Sequence, residues 1–444
     1  MKPVAIRFTA IKFRSEKCDN MYPASFIIKG NLCWCESPQE LRTLAQGYLV
    51  CVDGICQGAF PDLPEKYRGL PVLDAGNRLV IPGMTDLHVH ASQYTYRGLG
   101  MDLELLDWLN SCAFPEEARY RDPDYAGKAY EIFCHDLLHS VTTRAVVFAT
   151  MHPHTTVLLM ELLEKTGLIT MVGKVNMDRN SPDYLCEADP RTALADTRRW
   201  IEDTKDRFSF CSPILTPRFT PSCSDELMEG LGRLRREYGL PVQSHLSENL
   251  SEIREVKELC PWSEDYSDTY SRSGLLEGSV MAHCVWSPDS EAQRLKRENV
   301  YIAHCPASNT NLRSGIAPVR KYLSMGIKIG LGSDIAGGHQ LSLLGTVAHA
   351  ISASKLRWRL VDQTLAPLTL AEAFWMATAG GGSYFGKTGS FLPGYEFDAV
   401  ILDDSAVKGA GTYSTADRLA RYIFCGAHTP GELTGKYVRG RRVV

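Results

Sequence analysis

Hydrophobic and polar positions alternate with one period at the two ends of the chain and another in the middle. Near the N-terminus, short β-rich runs at 48–52 and 55–60 flank the turn dipeptide Asp53-Gly54, the spacing of a hairpin. From Leu79 onward, apolar runs of strand length alternate with stretches of helical periodicity as far as about residue 385. Eight such runs stand out, at 80–91, 142–149, 169–177, 208–219, 241–248, 279–285, 300–308 and 328–335. Eight parallel strands with intervening helices predict an α/β fold, the (β/α)8 or TIM barrel. After Pro393-Gly394 the strand pattern returns at 397–402 and in the closing YVRGRRVV, 437–444. Both chain ends, 1–78 and 387–444, are therefore expected to build one small β-sandwich-like domain. The barrel, 79–386, is inserted between them, in keeping with the closeness of domain termini.

Composition narrows the classes further. A chain of 444 residues suits a large barrel with a smaller unit, and 44% hydrophobic with 23% charged residues is ordinary for a globular protein. The net charge is −4 and Lys and Arg are interspersed with Asp and Glu, so no phosphate-binding footprint is present and no nucleic-acid partner is expected. No apolar run approaches membrane length, and Met1 to Arg14 lacks the apolar core of a signal peptide, so no membrane partner is expected either. The 14 Cys residues show neither a CxxC pair nor the dense spacing of a disulfide scaffold, which points to a reducing cytoplasm. Cys33-Trp34-Cys35 and the pair Cys51 and Cys56 read as buried thiols, because no matching second pair completes a metal site.

Ionisable side chains gather at the C-terminal ends of several of these strands, where barrel enzymes place their chemistry. His88-Val89-His90 closes the first run, and alternate residues of a strand face one side, so both imidazoles can address one ion. His152-Pro153-His154 has the same spacing but falls in a Pro-broken loop, and reads as pocket wall or surface. His245 ends the fifth run, His283 the sixth and Asp334 the eighth. Each alone is as well explained as a core histidine or a helix-capping aspartate; five converging ligand types define a metal site. Imidazoles with one carboxylate suit Zn²⁺, and Fe²⁺ would accept the same set. Glu248, three residues past His245, is placed for acid/base work beside a metal-bound water, although it could equally begin a helix. Gln93 and the pair Arg218-Phe219 offer an amide, a guanidinium fork and an aromatic face, a set suited to a planar polar ring. His304 is expected to pack behind the pocket.

Together the segments PGMTDLHVHASQYTYRG, LTPRFTPSC, QSHLSEN, MAHC, AHCPASN and GLGSDIAGG closely resemble the guanine deaminases of the amidohydrolase superfamily. HxH and SD are shared across the superfamily, whereas HASQY, TPRF and HLSEN are specific to guanine deaminases. The resemblance implies one Zn²⁺ per subunit held by His88, His90, His245 and Asp334, with His283 beside it. It implies Gln93, Arg218, Phe219 and His245 as guanine contacts and Glu248, Asp334 and His283 as the catalytic set. In that family the metal acidifies a water. Asp334 would take its proton as the oxygen adds to C2 of guanine, Glu248 would protonate the ring nitrogen, and ammonia would leave, giving xanthine. Some relatives bridge two metals with a carboxylated lysine on the fourth strand; this chain has Arg218 there, so Lys174, at the end of the third run, is not expected to serve. A cytoplasmic homodimer is also implied. Divergence is concentrated in the first 75 and last 60 residues. The competing readings are hydrolysis of another nitrogen heterocycle, such as an aminotriazine, and a metal-free scaffold. A cytidine-deaminase fold is disfavoured because its H-x-E and PCxxC motifs are absent.

Overall fold

The turn at Asp53-Gly54 shows how directly local sequence shapes the first sheet. Both residues have positive φ, +50° and +78°, the geometry that twists a two-residue hairpin correctly and that Asp-Gly adopts at low cost. The computed structural model describes residues 25–426 and 433–444; Met1 to Arg14, read for a leader, lies outside them. β1 (Phe26–Ser37), β2 (Glu40–Val52) and β3 (Ile55–Phe60) form a meander, and β4 (Val72–Pro82) runs parallel to β1.

The barrel follows after one residue, Gly83. Its strands are β5 (Met84–His90), β6 (Thr142–Phe148), β7 (Ile169–Gly173), β9 (Cys211–Pro213), β11 (Gln243–Leu246), β12 (Val280–His283), β13 (Tyr301–His304) and β14 (Lys328–Leu331). Two short strands, β8 (Val175–Asn176) and β10 (Thr216–Pro217), pair with each other beyond β7 and β9. The eight parallel strands run in the order β11-β12-β13-β14-β5-β6-β7-β9, and a parallel bridge from Leu215 to Val242 closes the ring. β15 (Ala399–Leu402), β16 (Leu433–Val438) and β17 (Arg441–Arg442) return to β4, completing a seven-stranded sheet in the order β17-β16-β15-β4-β1-β2-β3. The sandwich-like unit is thus one continuous sheet. Its far edge curls back, since Ile55 bridges Glu396, and it encloses Phe26, Phe397 and Tyr437, with Phe26 at 5.2 Å from each of the other two rings.

Three of the apolar runs divide in ways their hydrophobicity conceals. The run at 80–91 belongs to two sheets and breaks at Gly83, where a Cβ would lie 2.2 Å from the Thr143 hydroxyl oxygen. The run at 208–219 splits because Pro213 and Pro217 cannot donate to a ladder, and the run at 169–177 splits beside it.

A buried ionic clamp joins the two units at the N-terminal end of the barrel, opposite the mouth. Arg144, near the start of β6 and 1% exposed, donates through Nε to Asp398 at 2.7 Å and through Nη2 to Glu396 at 2.6 Å. Thr143 also donates to Asp398 at 3.2 Å, and Arg439 donates to Glu396 at 2.8 Å. Nearby, the ammonium of Lys436 on β16 donates to the carbonyls of Leu137, Leu138 and Ser140, capping the helix Pro123–Leu138. Removing one member of such a pair strands the other charge. Arg144→Met is therefore expected to lower unfolding stability by about 3–5 kcal/mol in urea titrations; a midpoint equal to that of the unmodified protein would show that the clamp contributes nothing.

Candidate metal centre and substrate pocket

Strand geometry sets the centre. The alternation of β5 sends His88 and His90 to one side, 0% and 3% exposed, at the barrel mouth. His245 comes from β11 and His283 from the last position of β12. Asp334 lies three residues past β14, in register with β5 because its N–H donates to the His88 carbonyl at 2.8 Å. Four non-glycine residues at these strand ends have left-handed backbones: Ser247 (φ +48°), His283 (φ +73°), Cys284 (φ +48°) and Asp334 (φ +47°). Such conformations cost about 1–3 kcal/mol each and persist where surrounding structure enforces them.

The side-chain atoms converge on one point. His90 Nε2 lies 3.2 Å from both His88 Nε2 and His245 Nε2, and Asp334 Oδ1 lies 3.1 Å from His88 Nε2 and 3.5 Å from His90 Nε2. A tetrahedral zinc with bonds of ~2.0–2.1 Å would set its ligand atoms about 3.3–3.4 Å apart, so the spacing fits a single ion. The protonation pattern fits as well. His245 Nδ1 donates to the Arg218 carbonyl at 2.6 Å, which leaves the Nε2 lone pair facing inward. Burial lowers the pKa of His88, His90 and His245, keeping them in the neutral form a cation requires. Behind them, Asp86 Oδ1 accepts from the backbone N–H of His88 at 3.2 Å and of Ser333 at 3.0 Å, tying β5 to the segment that carries Asp334. Burial pushes the Asp86 carboxyl up to about 7.

His283 and Glu248 stand beside this cluster. His283 Nε2 is 3.3 Å from Glu248 Oε2 and 3.7 Å from Asp334 Oδ2, and its Nδ1 pairs with Asn309 Oδ1 at 2.9 Å. Ser314 donates to the other Glu248 oxygen at 2.8 Å, while burial raises the Glu248 pKa. Above the cluster opens a cleft enclosing about 400 Å³ of space, open solvent included. His90, His245, His283, Glu248 and Asp334 form its floor; Gln93, Arg218 and Phe219 form one wall; Leu105, Trp108, Leu109 and Leu312 supply apolar cover.

The fold thus gathers around one cavity or its floor every residue that the sequence pattern singled out for the metal, the acid/base work and the substrate. It leaves others outside the cavity lining. His152 is the N-cap of the helix Pro153–Thr166, and His154 Nε2 lies 3.1 Å from the Arg121 carbonyl. Lys174 forms a buried ion pair with Glu187. His304 is buried on β13. Cys33, Cys35, Cys51 and Cys56 are buried free thiols, and burial pushes Cys35, Cys51 and Cys56 up to about 12. Sequence reasoning missed Glu117, which accepts from both Gln93 and Arg218, and Ser314. Neither sits in a strand-end motif, and Glu117 is separated from Arg218 by 101 positions, so no spacing rule links them.

This barrel and its His/Asp cluster are those of an amidohydrolase: residues 79–443 match the Amidohydrolase family. Guanine deaminase from Dictyostelium discoideum is 38% identical over 381 residues, covering 84% of this chain and 84% of the relative. Guanine deaminase from Escherichia coli is 36% identical over 390 residues, 84% and 85% of the two chains. The crystal structure of guanine deaminase from C. acetobutylicum, with guanine bound in the active site, superposes with a TM-score of 0.91 at 47% identity, covering 95% of this chain and 100% of that one. The chain belongs to the amidohydrolase family and, within it, to the guanine deaminases.

Because Asp86 holds both backbones that carry His88 and Asp334, Asp86→Ala is expected to weaken metal retention by about 10–100-fold. Titration of bound zinc against a chromophoric chelator measures this directly, and retention equal to that of the unmodified protein would remove Asp86 from the role.

Proposed function

We propose that this chain hydrolyses guanine to xanthine and ammonia with one zinc ion per subunit, held by His88, His90, His245 and Asp334. The observation that carries this reading is a single cavity in which that ligand set adjoins Gln93, Arg218 and Phe219. Relatives named guanine deaminase support the substrate, one of them holding guanine in its active site.

The metal, when bound, would lower the pKa of a water within reach of the substrate. The remaining work belongs to the chain. Asp334 keeps one carboxylate oxygen on the His88 side and turns the other toward His283, a position from which it accepts the proton of the attacking water. As the oxygen bonds to C2, Glu248 delivers a proton to the adjacent ring nitrogen, its carboxyl oriented by Ser314 and His283. The proton taken by Asp334 then goes to the exocyclic amine; as the C2–N bond breaks and ammonia leaves, the C2 hydroxyl gives its proton to Glu248, which forms the C2 carbonyl of xanthine and restores the acid. Arg218 and Gln93 fix the ring through its carbonyl and nitrogen edge, and Phe219 offers an aromatic face. Leu105, Trp108, Leu109 and Leu312 keep bulk water from the reacting carbon. A homodimer in the cytoplasm, acting in purine catabolism, belongs to the same reading. Among the described residues no helix is long and apolar enough to cross a membrane.

Incubation with guanine is expected to yield xanthine, followed by its absorbance, with Glu248→Gln lowering kcat by about 10²–10⁴-fold. Chelator treatment should abolish turnover and added zinc restore it. Guanine turnover left unchanged by both Arg218→Ala and Gln93→Ala would overturn the choice of substrate.

A further inference from the structure

The polar wall of the cavity depends on a carboxylate that is absent from the cavity lining. Glu117, 2% exposed, lies on the short helix Phe114–Ala118 and serves both substrate-facing groups at once. Gln93 Nε2 donates to its Oε1 at 2.7 Å, Arg218 Nη2 donates to the same oxygen at 3.0 Å, and Arg218 Nη1 donates to Oε2. The same helix places the Phe114 ring 4.9 Å from the guanidinium carbon, so Arg218 is held by an edge and by a face. At its other end the Gln93 amide accepts the Ala336 N–H at 3.0 Å. The amide therefore has one assigned direction, with its oxygen toward Ala336 and its nitrogen toward Glu117.

Charge follows from the same contacts. Arg218 is 3% exposed, and a guanidinium buried alone would favour any anion that entered the cavity. Paired in a fork with Glu117, it contributes no net charge. It still has N–H groups to spare, because a guanidinium carries five and Glu117 takes two. The wall can then recognise polarity without attracting charge. This matters for the reaction proposed above, since xanthine loses a proton far more readily than guanine. A wall with a free cation would retain its ionised product.

Resting on that reading of the substrate, we propose that Glu117 is a positioning residue that aligns Arg218 and Gln93 and makes the pocket select uncharged purines over anionic ones. Specificity of this kind is a difference between two affinities, so the test compares two ligands. Urate, a monoanion at neutral pH, and uncharged hypoxanthine would be titrated calorimetrically into the zinc-loaded protein, alongside guanine kinetics. Glu117→Gln preserves size and removes the charge. It is expected to raise KM for guanine by about tenfold with a smaller change in kcat, to tighten urate by about tenfold, and to leave hypoxanthine equal or weaker. Glu117→Asp keeps the charge and shifts its position; it should raise KM while leaving the urate-to-hypoxanthine ratio as in the unmodified protein. Unchanged constants in Glu117→Gln would overturn the proposal. So would equal weakening of both ligands in Glu117→Gln, the mark of a purely structural role. Should Glu117→Gln fail to fold, Glu117→Ala, which also removes the charge, is read in its place, with tightened urate as the expected result and equal weakening of both ligands as the overturning one. If the unmodified protein does not turn over guanine, the proposed reaction fails, whereas the calorimetric ratio tests Glu117 independently.

Discussion

The seam between β5 and β14 is the constraint on which the metal centre depends. It is where the first and last strands of the barrel meet, and the ladder there contributes a single pair, Leu331 with Asp86. Beyond that pair the ladder gives way to individual hydrogen bonds: Ser333 N–H to the Asp86 carboxylate, Asp334 N–H to the His88 carbonyl, and His90 N–H to the Ile335 carbonyl. Each fixes a ligand-bearing backbone against its counterpart. The chain separation bridged by the Asp86 to Ser333 contact is 247 residues, so none of these positions is settled before the ring closes.

Strain and charge are concentrated at one end of the barrel, and reinforcement at the other. Left-handed backbones at Ser247, His283 and Asp334 and a cluster of buried imidazoles and carboxylates all lie at the mouth. Arg144 with Asp398 and Glu396, and Lys436 over the helix carbonyls, lie where β6 begins. The division agrees with barrels generally, in which the C-terminal face carries chemistry and the N-terminal face carries stability.

What was legible in the sequence follows from which interactions are local. His88 and His90 declare themselves through strand alternation, and the mouth-facing positions of His245, His283 and Asp334 follow from where apolar runs end. The eight barrel strands were readable for the same reason, although the run at 80–91 conceals a passage from one sheet to another that only the approach of Gly83 to Thr143 explains. Glu117 was invisible because its role is defined by two partners on other elements, and Arg144 because a charged residue inside an apolar strand has meaning only once β15 and its neighbouring carboxylates are in place. The substrate wall was recognised through the resemblance of short motifs, while the carboxylate that orders it lies outside them.

The interleaving of the two units also constrains the order in which the protein can be made. β1 to β4 leave the ribosome first, yet their partner β15 follows only after all eight barrel strands. Lys436, which closes the carbonyl end of the helix Pro123–Leu138, is synthesised 299 residues after Leu137. A half-made chain therefore holds an unfinished sheet and an uncapped helix throughout synthesis of the barrel. Completion of the small sheet and locking of the barrel base become a single late event, contributed by the same few C-terminal strands.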